Sequence, residues 1–378
     1  MVPQSPALRP GHPAARRRTR RHAHCRVLLA IGSQAVALAA LVLLGGCSEP
    51  PPTRATTTAV AHTSEPTTPQ PTTPQPTTPP TTPPTTTASP TPSTPALQPL
   101  TGGPVLAVKI DNTGGSRPRV GVNQADVVYV EPVEGGLTRL LAIFSTAQPG
   151  EVGPVRSARE SDVQLLANYG PVAFAFSGAS AVTLPILGGG HQVNLSFDAA
   201  HQGYRRDGDR PAPYNVIGSP PALLARAGGS VPPADVGLRF GPASPGGVPA
   251  TQVATRWPAS GIQLSWDPGR RRYLVTTDGT PDIDADGTQH AAATVIVQVV
   301  DTHLSQNRDV NGVQTPVVDV VGGGAATVVR DGLAWTGEWS RPTAEAPTSF
   351  TANGQPIAMA PGPVWVLLVP SGQAAQVG

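Results

Sequence analysis

The sequence predicts an α+β or α/β domain followed by a mainly antiparallel β domain, both carried behind a disordered N-terminal tether. Three observations predict it. Residues 49–95 are dominated by proline and threonine, a composition that cannot bury a core. Between about 101 and 240, short apolar runs alternate with helix-start signals. Beyond about 250, helix signals nearly vanish and hairpin dipeptides multiply.

The first 46 residues read as an export signal. The basic segment RRRTRRHAHCR (16–26) precedes VLLAIGSQAVALAALVLL (27–44), an apolar run of 18 residues. Gly45, Gly46 and Cys47 follow, and Leu44–Cys47 resembles the lipobox of bacterial lipoproteins. The resemblance implies cleavage before Cys47, a diacylglyceryl group on its thiol, and loss of Cys25 with the signal. The alternative is an uncleaved anchor, since 18 residues approach a membrane span. Both readings put the remaining chain at the cell membrane, facing the extracytoplasmic side. Arg20 and Arg21 are a weak twin-arginine cue, because His22–His24 lack the apolar residues expected next.

Residues 47–100 form the tether, with a five-residue repeat in PTTPQPTTPQPTTPP (66–80). Its prolines favour extended polyproline II, so a stretch of roughly 50 residues reaches about 150 Å at about 3.1 Å per residue. That length holds a domain well clear of a membrane. The formal net charge is +2, and much of the positive excess precedes residue 27. The mature chain is then close to neutral, which excludes a nucleic-acid footprint. Both cysteines precede residue 48, so no disulfide staples the folded part.

The first domain spans 101–240. PVLAVKIDN (104–112) is a buried strand that delivers Asp111 and Asn112 to its carboxyl end, and a turn-rich segment with Arg117 and Arg119 follows. DVVYVEPVE and LTRLLAIFS read as a hairpin across Gly135-Gly136. A two-residue turn there pairs Glu134 with Leu137, Pro132 with Arg139 and Glu131 with Leu140. Arg139 then lies diagonal to Glu134, while Glu131 faces the opposite side unless a bulge at Pro132 rotates it back.

In GPVRSARESDVQLLANYG, Ser157 and Glu160 match a capping box, and Gly170 suits the helix end. Free N–H groups at that start, flanked by Arg156 and Arg159, favour an anion. The alternative is that these arginines are consumed as internal ion pairs by Asp111, Glu131 or Glu134. PVAFAFSG (171–178) is a further buried strand, and a short helix broken near Pro185 follows. The polar loop 191–215 carries Tyr204, Arg205, Arg206, Tyr214 and Asn215, and long loops are often functional. Ser219 and Pro220 open a last short helix.

Residues 241–250 read as a link, and 250–375 as the second domain. Asp331-Gly332 and Asn353-Gly354 mark hairpins, and VWVLLVP (364–370) is a closing buried strand. Asp282, Asp284, Asp286 and Gly287 open like a calcium loop, but the twelfth position is Ala293 and no helices flank it, so a polar turn is expected. His191, His201, His290 and His303 are too scattered for a metal set. No metal or cofactor is expected.

Several segments together identify a resemblance. KIDN (109–112), QADVVYVEPVEGGLTRLLAIF (124–144), GPVRSAR (153–159), YRRDGDRPAPYN (204–215), GGGAATVVRDG (322–332) and PGPVWVLLVP (361–370) are similar to the YerB-like bacterial lipoproteins. The resemblance implies a two-domain fold and an envelope location, and brings no established reaction. Tyr214 stands where the family pattern more often has histidine.

The functional expectation is a lipid-anchored envelope protein that binds an anionic or glycan ligand, or an envelope protein. Its candidate ligand residues are Asp111, Asn112, Arg117, Glu131, Glu134, Arg139, Arg156, Ser157, Arg159, Arg205 and Asn215. The alternative is a hydrolase of wall glycan or peptide using Asp126, Glu131 and Glu134, since glycoside hydrolysis needs two carboxylates. No nucleophile motif supports a serine mechanism: FSGAS (176–180) is not G-x-S-x-G.

Overall fold

The computed structural model describes residues 98–100, 102–228, 234–309 and 312–378. The expected signal, Cys47 and nearly all of the tether lie outside the described residues. The strands are β1 (Leu106–Asp111), β2 (Val127–Pro132) and β3 (Thr138–Phe144), followed by helix α1 (Ser161–Ala167). Next come β4 (Ala173–Phe176), α2 (Thr183–Gly188) and β5 (Val193–Ser196). The short hairpin β6 (Tyr204–Arg206) and β7 (Val216–Gly218) leads to α3 (Pro220–Arg226).

The later segment supplies β8 (Gln252–Trp257), β9 (Ser260–Asp267) and β10 (Arg272–Thr277). It continues with β11 (Thr294–Arg308), β12 (Gln314–Asp319), β13 (Gly322–Arg330) and β14 (Leu333–Arg341). β15 (Ser349–Ala352), β16 (Val364–Pro370) and β17 (Ala375–Val377) complete it. This part is mainly antiparallel, as the turn chemistry predicts.

One sheet of thirteen strands runs through both segments, with the order β15-β14-β13-β11-β16-β2-β3-β1-β4-β5 along its main path. β16 is the seam, pairing in parallel with β11 on one side and β2 on the other. A strand flanked on both edges and covered on both faces must be apolar throughout, and VWVLLVP is buried up to its last residue. The described residues fall within one compact unit. β8, β9, β10 and β17 belong to a second, smaller sheet.

Strand alternation sorts the two faces. On β1, Leu106, Val108 and Ile110 pack with Val253, Leu264 and Tyr273 of the small sheet. Ala107 faces the other way, with Leu165, Leu166 and Tyr169 from α1 and its end. Lys109 and Asp111 therefore face the α1 side, where the charged residues of β2 and β3 join them.

The Asp331-Gly332 and Asn353-Gly354 turns form as predicted. Arg330 pairs with Leu333 and Ala352 with Gln355, and all four turn residues have positive φ. Two local expectations are corrected. The turn at Gly135-Gly136 is wider than two residues, because Val133 N–H reaches Leu137 O and a 3-10 turn spans Glu134–Gly136. The register shifts by one: Pro132 pairs with Thr138 and Glu131 with Arg139. Glu131 and Arg139 therefore share a face.

The helix begins at Ser161, three residues later than a Ser157 cap would place it, and the side chain of Glu160, the actual N-cap residue, makes no capping hydrogen bond. Arg156–Arg159 is instead tied to the neighbouring strands, with Arg156 N–H on Lys109 O and Ala158 N–H on Gly178 O. The reach-back contact is made by Asp162, whose Oδ2 accepts the Arg159 N–H at 2.7 Å. α1 has seven residues, and at its start the Asp162 and Val163 N–H groups bond the Arg159 and Glu160 carbonyls at 3.2 Å. Within the expected loop 191–215, β5 instead extends the main sheet and β6 opens a hairpin.

Candidate functional site

β1, β4 and β5 run parallel, so their carboxyl ends lie together at one edge of the sheet. β3 runs antiparallel to β1 and brings its start, with Thr138 and Arg139, to the same end. A cleft of about 500 Å³ opens there, lined among others by Asp111, Glu134, Arg139, Arg156, Arg159 and Tyr214. The carboxyl end of parallel strands is a general location for ligands in such sheets.

The register places Asp111, Arg139 and Glu131 in one line across β1, β3 and β2. Their fates differ. Glu131 is wholly buried and ion-paired with Lys109, which also donates to Asp162 Oδ1 at 2.7 Å. Burial pulls the Lys109 ammonium down to about 8, against the pull of Asp162 in the other direction. This buried set lies under the cleft and ties β1 and β2 to α1.

Two of the cleft arginines are neutralised internally. Arg156 Nε lies 3.1 Å from Asp111 Oδ2. Arg159 Nη2 donates to Glu134 Oε2 at 2.7 Å, and its Nε lies 2.7 Å from Oε1. Burial pushes the Glu134 carboxyl up, but the Arg159 hydrogen bond and charge outweigh it and hold the group below its ordinary value. A Thr315 hydroxyl adds a hydrogen bond to Glu134 Oε1 at 2.5 Å. Arg139 differs: its Nη1 donates to the Ser157 carbonyl at 2.8 Å, and no carboxylate among the described residues pairs with it. It is only 8% exposed. Burial, together with the Arg159 and Arg156 charges, pulls the guanidinium down to about 9. It is still cationic at neutral pH, and it lines the cleft.

Other candidates lie elsewhere. Asn112 is buried between Thr138 and Arg119. Arg117 donates to the Thr277 carbonyl, and exposed Arg205 grips Glu151. Asn215 accepts from Arg206. Asp126 accepts the Ser145 and Thr146 N–H groups, at 2.6 and 2.8 Å, so it serves a turn. Of the three carboxylates considered for hydrolysis, only Glu134 lines the cleft, and its low pKa is wrong for a general acid.

Sequence reasoning missed Lys109, although a lysine inside an apolar strand was a visible cue. It also missed the β11–β12 ribbon, which supplies Asn307 and Arg308 to the cleft and Thr315 to Glu134. Such contacts join residues far apart in the chain and leave no local pattern.

Asp282 and Asp284 form a polar anchor rather than a cation loop. Asp282 pairs with Arg119, and Asp284 accepts the Gly121 and Val122 N–H groups at 3.1 and 2.9 Å. His290 Nε2 lies 3.2 Å from Asp284 Oδ2, and its Nδ1 lies 3.6 Å from Asp282, an ionic rather than a hydrogen-bonding separation. No helix among the described residues is long and apolar enough to cross a membrane.

Comparison with known proteins agrees with this architecture. Residues 91–231 match the N-terminal domain, and residues 253–366 the C-terminal domain, of a family described as "Protein of unknown function (DUF3048)". The chain is 26% identical over 283 residues to "Putative lipoprotein YerB" of Bacillus subtilis (strain 168), covering 72% of this chain and 83% of that protein. The crystal structure of YerB protein from Bacillus subtilis superposes with a TM-score of 0.64 at 23% identity, covering 74% of this chain and 94% of that one. At that identity the likeness concerns the fold. With both domains matched in order, the chain belongs to the YerB-like family built from the DUF3048 N-terminal and C-terminal domains.

Proposed function

We propose that this is a lipid-anchored protein of the cell envelope, held to the cytoplasmic membrane through Cys47 and facing outward, whose cleft binds an anionic group. Arg139 carries the reading. A buried guanidinium without a carboxylate partner costs free energy in the folded state. A ligand anion supplies the missing charge and strengthens in effect because the surroundings are partly dry. Arg156 and Arg159 are already paired, so they shape the cleft and orient Arg139 by repulsion rather than compete with it for the anion.

The lipobox-like sequence and the likeness to a protein named a lipoprotein support the anchor. The proline-rich segment supplies reach toward a cell-wall polymer. Asp111 and Glu134 are each held by an arginine, which favours binding over hydrolysis at these two carboxylates.

The test is binding of the soluble chain, residues 48–378, to purified anionic envelope polymers, with product release followed in the same tubes. The reading expects saturable binding that weakens as salt rises, without release of product. No binding at low salt would contradict it, and released product would instead assign catalysis.

A further inference from the structure

The charges of the cleft do not all cancel. Asp111 answers Arg156 and Glu134 answers Arg159, exposed Arg308 donates to the Gly312 carbonyl and Asp309 accepts the Val313 N–H at the rim, and the buried cation Arg139 stands on one side. On the other side is Asp198, which lines the same cleft and has no hydrogen-bonding or ionic partner among the described residues. Its seat is specific. Asp198 follows β5 and Gly178 follows β4, and the two strands pair through Phe176 and Ser196. A Cβ at Gly178 would lie 2.2 Å from Asp198 Oδ2, and Gly178 has φ +154. A side chain at 178 would displace that carboxylate from its seat in the cleft wall and would strain the backbone.

The spacing of these two charges follows from the sheet. Arg139 is on β3 and Asp198 follows β5, with β1 and β4 between. Three strand spacings of about 4.8 Å put the two backbones roughly 14 Å apart. The long Arg139 side chain shortens the charge-to-charge span. A cleft of about 500 Å³, taken as a sphere, is about 10 Å across. An extended tripeptide spans about 10 Å at about 3.3–3.6 Å per residue.

We infer that the cleft takes a short peptide with free termini, its carboxylate on Arg139 and its ammonium on Asp198. This rests on the cleft being an anion site and names the class of ligand. A simple anion answers Arg139 and leaves Asp198 without a counter-charge, whereas a zwitterion of the right length answers both. A single amino acid is too short to reach both groups. Leu137, 38% exposed, with Val133 and Ala179 also in the lining, offers apolar surface to the peptide's side chains.

Calorimetry on the soluble chain tests this with five probes: tri-L-alanine, tri-D-alanine, the N-acetyl and C-amide forms of whichever binds, and inorganic phosphate. One free tripeptide is expected to bind, and capping either end should weaken it about ten-fold or more, the loss of one charge-assisted contact of about 1.4 kcal/mol or more. In Asp198→Asn the penalty for N-acetylation should vanish, and in Arg139→Gln the penalty for C-amidation should vanish. Thermal melts of both variants confirm that they are folded. If phosphate or the acetylated peptide binds through Arg139 as well as the free peptide does, the zwitterion is overturned and the anion site stands. If phosphate binds and neither peptide does, the peptide assignment fails alone. If nothing binds, both readings fail.

Discussion

Glu131 and Arg139 are direct partners in the β2–β3 register and share a face, yet they do not pair. The Glu131 carboxylate goes to Lys109 on β1, and Arg139 turns to the Ser157 carbonyl. Opposite charges placed directly across strands would ordinarily neutralise each other. Lys109 diverts the acid, and the diversion is what leaves a buried cation facing the cleft. The Lys109 set and the cleft-lining Arg139 are therefore two halves of one arrangement.

Removing Lys109 tests the first half. Lys109→Met leaves Glu131 and Asp162 as buried carboxylates without their cation, and breaking a buried pair in this way costs about 3–5 kcal/mol. Denaturant unfolding should show a loss of that order. Lys109→Met combined with Glu131→Gln should recover part of it, since fewer uncompensated charges are left. A loss below about 1 kcal/mol, the scale of a surface pair, would contradict the account.

The His290 anchor makes stability depend on pH in both directions. Burial alone would pull the imidazole down, but Asp282 and Asp284 outweigh it, together with the opposing Arg119, and raise it above 6.5. A raised folded-state value contributes stability that is fully present below 6.5 and lost as pH rises through that value. Asp282 and Asp284 are held below 3.8, so their contribution is present above that pH and lost as pH falls. Melting temperature should therefore decline on the alkaline side of 6.5, and His290→Gln should remove that alkaline limb while lowering stability at pH 6. An unchanged limb in the variant would show that His290 is not its source.

The turn glycines separate backbone strain from contact. Gly135 and Gly136 have φ of 69° and 73°. A Cβ on Gly135 meets nothing within 4 Å, whereas one on Gly136 would lie 2.5 Å from the Pro258 side chain and 3.0 Å from the Ala259 nitrogen. Gly135→Ala should cost about 1–2 kcal/mol from the left-handed backbone alone. Gly136→Ala should cost clearly more, because it also pushes the small sheet away from the turn. Equal losses in chemical denaturation would mean that the Pro258 contact does not matter.

Cys47→Ala provides a separate check on location. Fractionation of cells expressing the variant should move the protein out of the membrane pellet, with no lipid mass on the chain. A variant that stays in the membrane would point to the uncleaved apolar anchor.

Much of this was legible in the sequence. The turns at Asp331-Gly332 and Asn353-Gly354 follow from local chemistry, because both positions need left-handed backbone. VWVLLVP announced a buried strand, though not that it would sit between the two segments. Asp111, Glu134, Arg139, Arg156, Ser157 and Arg159 were named and come together in the cleft. The failures were of register and phase. A turn one residue wider moved Glu131 to the face of Arg139, and Asp162 did the work assigned to Glu160. Arg117, Arg205 and Asn215 carried the same charge or polarity as the cleft residues, and only their position in space separates them. Asp198 and Thr315 gave no sign, since their roles depend on contacts distant in the chain.

The most direct measurement is Arg139→Gln, compared with the unaltered protein for both binding and stability. Removing an unpaired buried cation relieves a cost in the folded state, so the melting temperature should hold or rise while affinity for the anionic ligand falls at least about ten-fold. Unchanged affinity, or a binding loss that only follows a fall in melting temperature, would contradict the assignment of Arg139 as the anion-binding residue.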